Sequence, residues 1–261
     1  MHKLLRETSV TGMEGKTCLI TGATSGIGLV AAGALARQGA RVLLVGRNQA
    51  KCDAATAQIK AETGNRQVES FLADLSSQQQ VRELARRFRD QNSRLDVLVN
   101  NAGGMWMQRQ LNADGLEITF AVNHLAYFLL TQLLLDTLQA SAPARIVNVS
   151  SEAHQRATID FDELTGERRY GAWTQYCRSK LMNLLFTYEL NRRIDGSGIT
   201  VNALHPGWVA TGFASNNGWR GRAIQLAARW FALTPEQGAR TIIYLASSPG
   251  GHRHQRPLLH Q

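Results

Sequence analysis

Two side chains with acid–base chemistry, Tyr176 and Lys180, lie four residues apart in a segment with helical periodicity. On a helix this spacing brings both side chains to one face. A tyrosine hydroxyl has an unperturbed pKa of about 10, which is too high for an efficient base at neutral pH. A cation held close would lower that pKa. The pair therefore predicts a proton-transferring tyrosine with Lys180 as its tuning cation, and a surface Tyr–Lys pair is the alternative.

Two further polar residues stand where a reacting oxygen could be bound. Ser151 follows a predicted strand, so its hydroxyl could donate to a substrate oxygen as negative charge develops. Ser150 is the neighbouring alternative, and a strand-end turn is the structural explanation for either serine. Asn123 falls inside a long predicted helix, where asparagine is unfavourable and needs a reason. A buried structural amide is the other interpretation of Asn123.

A glycine-rich segment, TGATSGIG at residues 21–28, connects a predicted strand to a predicted helix. Gly22 would permit the tight turn, Gly26 would let the backbone approach a pyrophosphate, and Gly28 would let helix and strand pack closely. Phosphate would then meet the free N–H groups at the helix N-terminus. An ordinary glycine-rich turn is the alternative, which the strand–loop–helix context disfavours.

The end of the second predicted strand reads Val45-Gly46-Arg47. An acidic residue at this place would accept from the adenosine ribose 2′-hydroxyl of NAD. Gly46 removes that carboxylate, and Arg47 can pair with a 2′-phosphate. We therefore expect the cofactor to be NADP(H).

Alternating strands and helices position these residues. Predicted strands cover residues 16–21, 41–45, 68–73, 95–100, 145–150 and 199–204, and predicted helices cover residues 28–38, 49–62, 77–92, 116–140, 174–193 and 235–246. This order implies right-handed crossovers and a parallel sheet between two helix layers. We expect one Rossmann-type, doubly wound α/β domain over residues 1–261, with a short N-terminal extension (1–14) and an atypical tail (250–261).

The composition is that of a globular protein: 44% of the 261 residues are hydrophobic and 19% are charged. We expect no membrane span, because no apolar run approaches about 18 residues. The scattered Cys18, Cys52 and Cys177 predict a reducing cytoplasm and no metal site. The net charge of +9 is spread along the chain, which favours a solvated surface over nucleic acid binding.

Four ordered motifs resemble the short-chain dehydrogenase/reductase family over about residues 15–249. They include the Gly-x-x-x-Gly-x-Gly spacing, Asn100-Asn101-Ala102-Gly103, and Tyr176-Cys177-Arg178-Ser179-Lys180. A narrower resemblance, to the retinol dehydrogenase-like branch, is carried by residues 150–154, 159–164, 205–211 and 234–238, and by an inserted segment between serine and tyrosine. Many relatives in that branch add an N-terminal membrane anchor, and its absence from this sequence makes a soluble bacterial-type relative the better match.

The resemblance implies hydride transfer between a nicotinamide and a small-molecule carbonyl or alcohol. Tyr176 would transfer the proton, Ser151, rather than Ser150, would orient the oxygen, Lys180 would also bind the nicotinamide ribose, and Asn123 would hold a proton-relay water. The implied cofactor-binding residues are Gly22, Thr24, Ser25, Gly26, Ile27, Gly28, Arg47, Asn48, Asp74, Leu75, Asn101, Ala102, Gly103, Tyr176, Lys180, Pro206, Gly207, Val209 and Thr211.

The substrate is expected to be a lipophilic aldehyde, ketone or alcohol, because apolar residues fall on predicted loops after strand ends. They are Met105, Trp106, Met107, Trp173, Trp208, Phe213 and Trp219. The resemblance also suggests a homodimer formed through helices 116–140 and 174–193. The competing function is a non-catalytic NADP(H)-binding sensor or scaffold, which would not need Ser151, Tyr176, Lys180 and Asn123 together.

The tail, residues 250–261, is basic, rich in histidine and without strand patterning. Relatives have there a final strand of the type Val-Thr-Gly-x-x-Gly-x-Tyr-Phe. One back-translation, read one nucleotide later, encodes such a strand, so we expect a frameshift near Pro249 and a missing or altered seventh strand. A His-rich metal-binding tail is the alternative, weakened by the lack of Cys or carboxylate partners.

Overall fold

A parallel sheet of seven strands forms the centre of the structure, a computed structural model that describes residues 12–208, 233–249 and 258–259. The spatial order of the strands is β3-β2-β1-β4-β5-β6-β7. Their bounds are β1 Thr17–Thr21, β2 Arg41–Gly46, β3 Val68–Leu72, β4 Val97–Asn100, β5 Ala144–Val149, β6 Ile199–Leu204 and β7 Leu258–Leu259. The predicted doubly wound α/β fold is confirmed.

Helices cover both faces of the sheet. The first face packs against α1, α2 and α7, and the second against α3, α5 and α6. The helix bounds are α1 Gly26–Arg37, α2 Gln49–Thr63, α3 Gln78–Gln91, α4 Ile118–Phe120, α5 Ala126–Ala140, α6 Ala172–Arg193 and α7 Pro235–Ser247. A π-helical turn, Ala121–Leu125, joins α4 to α5, and two short 3-10 helices, Glu152–Arg156 and Phe161–Glu163, precede α6.

The strands are apolar on both sides because each side faces a helix layer. In β2, Val42 and Leu44 belong to the core cluster of the first face, whereas Leu43 and Val45 belong to that of the second. All four side chains are fully buried. This double burial explains why the strands read as continuous apolar runs rather than as alternating patterns.

The strand order reverses between β1 and β4, which lie side by side although two strands separate them in sequence. Loops leaving the carboxyl ends of β1 and β4 turn to opposite faces of the sheet, so a crevice opens between them. Ligands of open α/β sheets bind at such a point. The glycine-rich loop follows β1 and Asn101 follows β4, so the fold brings both motifs to this crevice.

Most predicted boundaries agree with the structure to within two residues, and the predicted 116–140 helix differs most. It is interrupted by the π-helical turn Ala121–Leu125, with Asn123 at its centre. Hydrogen bonds from Asn123 to other elements set this irregular turn, so helical periodicity alone did not reveal it.

One segment corrects the expectation that no stretch is apolar and long enough to span a membrane. Within the described ranges, Ile118–Ala140 meets that criterion by length and composition, with a mean hydropathy of 1.5 over an 18-residue stretch. Scattered polar residues hid it from an inspection of uninterrupted apolar runs. In the fold, 56% of that stretch is buried, and α5 packs against α3 and the second face of the sheet. A core helix of a globular domain has the same character.

Within the described residues, the seventh strand is Leu258–Leu259, which pairs in parallel with Ala203 and Leu204 of β6. An altered seventh strand is what the sequence predicted, and the frameshift itself stays a prediction. Histidines 252, 254 and 260 of the tail lie outside the described residues. Within the described part of the chain, no group of three His, Cys, Asp or Glu residues could hold a metal ion.

Candidate active site

A cleft of about 1110 Å³ lies at the carboxyl ends of the central strands. It collects nearly all of the predicted cofactor residues: Gly22, Thr24, Ser25, Gly26, Ile27, Gly28, Arg47, Asn48, Asp74, Leu75, Asn101, Ala102, Gly103, Tyr176, Lys180, Pro206 and Gly207, together with Ser151. The other two, Val209 and Thr211, lie outside the described residues. Asn123 does not line the cleft but lies directly behind its wall.

The glycine-rich loop folds as a cradle. Gly22 and Gly26 adopt positive φ angles of 65° and 57°, which favour glycine. A Cβ on Gly22 would lie 2.8 Å from the Cα atom of Ala102, and one on Gly28 would lie 2.5 Å from Nδ2 of Asn101. The loop therefore depends on glycine, and it ends at the N-terminus of α1, where N–H groups and the helix dipole favour an anion. These residues fit a dinucleotide pyrophosphate.

Hydrogen bonds from Thr21 and Asn101 fix the crevice. The Thr21 hydroxyl oxygen accepts from the backbone N–H groups of Asn101 (2.8 Å) and Ala102 (3.1 Å). In return, Asn101 Nδ2 donates to the Thr21 carbonyl oxygen at 2.8 Å. The Asn-Asn-Ala-Gly motif thus joins the two strand ends between which a cofactor would lie.

Basic and small residues mark the end of β2. A Cβ on Gly46 would lie 2.6 Å from Cγ2 of Thr24 and 2.8 Å from Sγ of Cys52, so any larger residue at position 46 would have to displace these two side chains. Arg47 is exposed at the cleft, and Lys51, which sequence reasoning missed, lines it as well. Both cations lie on this wall because Asn48 caps α2 by accepting from the Lys51 N–H at 2.9 Å.

Asp74 lines the same end of the cleft, just beyond β3. Its carboxylate accepts from the Ser76 N–H at 2.9 Å, which shapes the turn that leads into α3. Its position is therefore compatible with the predicted role in cofactor binding.

Tyr176 and Lys180 project from one face of α6 and are almost completely buried. Lys180 Nζ lies 5.6 Å from the centre of the Tyr176 ring and donates to the Val149 carbonyl oxygen at 2.9 Å. A side-chain hydrogen bond joins Ser151 to Tyr176. The hydroxyl of Ser150 instead donates to the Lys180 carbonyl oxygen at 2.8 Å, so Ser151 is the serine next to the tyrosine.

The protonation equilibria depart from the expectation that Lys180 lowers the pKa of Tyr176. Burial raises the pKa of Tyr176 to about 12, although the hydrogen bond with Ser151 acts in the opposite direction. Burial also lowers the pKa of Lys180 to about 7. Because desolvation disfavours both charged forms, it outweighs the attraction that the spacing suggested.

Asn123 connects three elements. Its Oδ1 atom accepts from the Gly104 N–H at 2.9 Å, and its Nδ2 atom donates to the Gly104 carbonyl oxygen at 2.9 Å and to the Ser179 hydroxyl at 3.0 Å. Its own carbonyl oxygen accepts from Asn183 Nδ2 at 2.8 Å. The side chain of Asn123 is thus used structurally. It lies next to Gly103, because a Cβ on Gly103 would be 3.2 Å from Asn123 Oδ1 and 3.6 Å from Lys180 Nζ.

Aromatic side chains surround the mouth of the cleft. Trp106, Trp173 and Trp208 line it, and Trp173 stacks on Tyr176 with ring centres 5.7 Å apart. Trp173 lies on the first turn of α6, not on a loop as predicted, because α6 begins two residues earlier than its pattern suggested. Met105 packs beside Tyr176, and Met107 is exposed. Phe213 and Trp219 lie outside the described residues.

The inserted segment between Ser151 and Tyr176 forms a fixed wall. Arg178 Nη1 donates to the Glu163 carbonyl oxygen at 2.6 Å, and Gln175 Nε2 donates to that of Leu164 at 3.1 Å. The Tyr170 hydroxyl donates to the Trp106 carbonyl oxygen at 2.6 Å. These bonds attach the insertion to α6 and to the loop after β4.

Besides Lys51, sequence reasoning missed three residues near the site: Glu152, His205 and Tyr127. Glu152 pairs with His205 across the cleft, with Oε1 and Nε2 3.3 Å apart, and the adjacency of Glu152 to Ser151 was the available signal. Tyr127 is fully buried, and its ring centre lies 5.9 Å from Lys180 Nζ. Its position one helical turn after Asn123 was the corresponding signal.

Comparison with known proteins agrees with this geometry. The short chain dehydrogenase family profile matches residues 16–219. The chain is 45% identical over 238 residues to human retinol dehydrogenase 13, covering 89% of this chain and 72% of that protein. It is 44% identical over 243 residues to human retinol dehydrogenase 11, covering 93% of this chain and 76% of that protein.

A solved structure described as the Pseudomonas aeruginosa RhlG/NADP active-site complex shares the fold, with a TM-score of 0.76 and 26% identity over 97% of both chains. The enzymatic interpretation is therefore favoured over a non-catalytic sensor or scaffold. A profile match to most of the chain and close relatives in one branch lead to the same conclusion: the protein belongs to the short-chain dehydrogenase family, in its retinol dehydrogenase-like branch, and is an oxidoreductase.

Proposed function

We propose that the protein uses NADP(H) to interconvert a lipophilic aldehyde or ketone and the corresponding alcohol. The observation that carries the proposal is the wall at the end of β2, where Gly46 supplies no carboxylate and Arg47 and Lys51 line the cleft. A 2′-phosphate would meet cations there instead of a carboxylate. The NADP complex of the similar Pseudomonas aeruginosa structure supports the same choice.

The roles of the catalytic residues follow from their contacts. A bound nicotinamide dinucleotide supplies the hydride chemistry, and the chain supplies the proton and the orientation. Tyr176, joined to Ser151 by a hydrogen bond, would exchange a proton with the substrate oxygen while Ser151 donates to that oxygen. Because burial keeps its pKa near 12, Tyr176 remains protonated at neutral pH and is suited to act as an acid in the carbonyl-reducing direction.

The aromatic mouth of the cleft supports a lipophilic substrate. Trp106, Trp173 and Trp208 provide apolar surface beside Tyr176, and such surface binds substrates with large hydrocarbon parts. The names of the human relatives, retinol dehydrogenases 11 and 13, point to the same class of lipophilic alcohol and aldehyde.

A panel of aliphatic and polyene aldehydes, ketones and alcohols tests the function, with turnover followed by the absorbance of the reduced nicotinamide. We expect reduction of long-chain aldehydes with NADPH and much slower rates with NADH. Tyr176→Phe protein, purified in parallel, controls for contaminating reductases. Equal rates with both cofactors would contradict the cofactor proposal, and a preference for small polar carbonyls would contradict the substrate proposal.

We also propose that the protein is a cytoplasmic homodimer. All three cysteines are free and buried, as expected in a reducing compartment. Phe128 of α5 and Leu185 and Tyr188 of α6 are large, exposed apolar or aromatic side chains on the two helices expected to pair. A second copy would remove this apolar surface from water.

A further inference from the structure

The ammonium group of Lys180 lies close to two aromatic rings. Its Nζ atom is 5.6 Å from the ring centre of Tyr176 and 5.9 Å from that of Tyr127. Both distances are within the range of a cation–π interaction. Tyr176 belongs to the proposed catalytic group, whereas Tyr127 comes from α5 and has no role in the proposed function so far.

Tyr127 is held in the interior, only 1% exposed, one turn after Asn123. Its hydroxyl has no hydrogen-bond partner among the described residues. Burial, together with the nearby Tyr176, raises its pKa far above the usual value, so it stays a neutral phenol. Tyr127 therefore acts on Lys180 through the face of its ring and not through a negative charge.

The surroundings of Lys180 leave few other sources of stabilisation. The amine is 4% exposed and donates to one carbonyl oxygen, that of Val149. Among the described residues, the titratable groups facing it are the phenols of Tyr127 and Tyr176, and burial alone accounts for the depressed pKa of the amine. A buried ammonium without a carboxylate gains most from the negative faces of aromatic rings, since desolvation strengthens cation–π attraction.

We propose that Tyr127 is a positioning residue whose ring, together with that of Tyr176, keeps the buried Lys180 amine charged and in place beside the proton-transferring hydroxyl. The inference rests on the proposed function, in which Lys180 works with Tyr176. It adds a residue that lies in none of the sequence motifs and that is proposed to contact neither the Tyr176 hydroxyl oxygen nor the substrate oxygen. Its effect is on the charge of Lys180, and that charge is measurable without turnover.

Nuclear magnetic resonance of lysine labelled with ¹³C at Cε measures this charge directly. The chain has five lysines, Lys3, Lys16, Lys51, Lys60 and Lys180, and Lys180→Arg identifies the Lys180 signal by its loss. Phenylalanine and increasingly fluorinated phenylalanines at position 127 keep the ring size while removing the negative ring face. We expect Tyr127→Phe to titrate nearly like the wild type. We expect the Lys180 pKa to fall stepwise with fluorination, by about one unit in total.

Tyr244→Phe, at an exposed residue of α7 outside the two helices proposed to pair, is the control and should leave the Lys180 titration unchanged. In the active enzyme, the fluorinated series should also shift the pH profile of kcat with little change in the KM for cofactor. A Lys180 pKa that is the same throughout the series would overturn the proposal. Since the titration needs no substrate, an unexpected substrate or cofactor preference would overturn the proposed function and leave this result standing.

Discussion

At the scale of single residues, the site depends on groups whose chemistry is changed by burial. The spacing of Tyr176 and Lys180 predicted that they share a helix face, and the structure places them so. The direction of their pKa shifts could not be predicted, because it depends on how completely other elements exclude water from both groups. Residue type and spacing thus identify candidates, whereas tertiary burial sets their titration.

Replacing Tyr176 with phenylalanine should remove the proposed proton donor without changing the shape of the cleft. We expect kcat to fall by about 10²–10⁴-fold, the usual contribution of general acid–base catalysis. NADPH affinity, measured by fluorescence titration, should fall by no more than about tenfold, because one hydrogen bond to a ribose is the most that is lost. Tyr244→Phe, on the outer side of α7, is the control, and substantial remaining activity in Tyr176→Phe would assign the acid role elsewhere.

Arg47→Asp should reverse the cofactor preference. The carboxylate would repel a 2′-phosphate and could accept from a ribose hydroxyl, so we expect NADPH affinity to fall by roughly ten- to a hundredfold. NADH affinity should rise or stay level. Dissociation constants for both cofactors measure the effect, with Arg82→Asp, at an exposed residue of α3, as the control. A preference unchanged in Arg47→Asp would show that this arginine does not read the phosphate.

The depressed pKa of Lys180 gives the folding free energy a defined pH dependence. Burial lowers this pKa from the usual value of 10.5 to about 7. Between pH 7 and pH 10.5, the unfolded chain therefore binds more protons than the native protein. Stability from this group therefore rises as the pH increases from 7, and its cost is fully present below pH 7.

Urea denaturation of wild type and Lys180→Met at pH 7 and pH 9 isolates this term. The difference between the unfolding free energies of the two proteins removes the contributions of the buried cysteines and of Tyr176. The raised pKa values of these groups lower the stability of both proteins at alkaline pH. We expect Lys180→Met to be more stable at pH 7, with a smaller advantage at pH 9. An advantage independent of pH would rule out a depressed lysine pKa.

At the scale of elements, the π-helical turn shows where pattern reasoning ends. Six strands and the flanking helices were predictable from apolar runs, capping residues and glycines, because local sequence determines them. The turn Ala121–Leu125 depends instead on Asn183 of α6, which donates to the Asn123 carbonyl oxygen and accepts from His124 Nδ1 at 3.0 Å. A mid-helix asparagine was the only local sign of this contact between helices.

Asn183→Leu should therefore destabilise the protein through the π-helical turn. The substitution leaves the Asn123 carbonyl and the His124 ring without these partners in a buried place, at a cost of about 1–3 kcal/mol for each unsatisfied group. Urea denaturation measures the loss, and Gln132→Ala, exposed on α5, serves as the control. A stability equal to that of the wild type would mean that the turn persists without these bonds.

At the scale of the whole molecule, the two helices behind the site are also the proposed contact between subunits. Light scattering at micromolar concentration should give twice the chain mass, and Leu185→Glu should shift it to the monomer mass, because a charge would be buried in the interface. Phe161→Glu, at an 82% exposed residue of the insertion, controls for a general effect of placing a charge on the surface. A monomer mass for the wild type would contradict the homodimer.

The space around Gly46 bears on how the proposed cofactor preference could change during evolution. A side chain at position 46 would place its Cβ 2.6 Å from Cγ2 of Thr24 and 2.8 Å from Sγ of Cys52, so an acidic residue there requires these two side chains to move. A smaller residue at position 24 or 52 would make that replacement easier. Substitutions at position 47 remain open. A change of the cofactor that the enzyme uses would thus depend on steric contacts at position 46 as well as on charge at position 47.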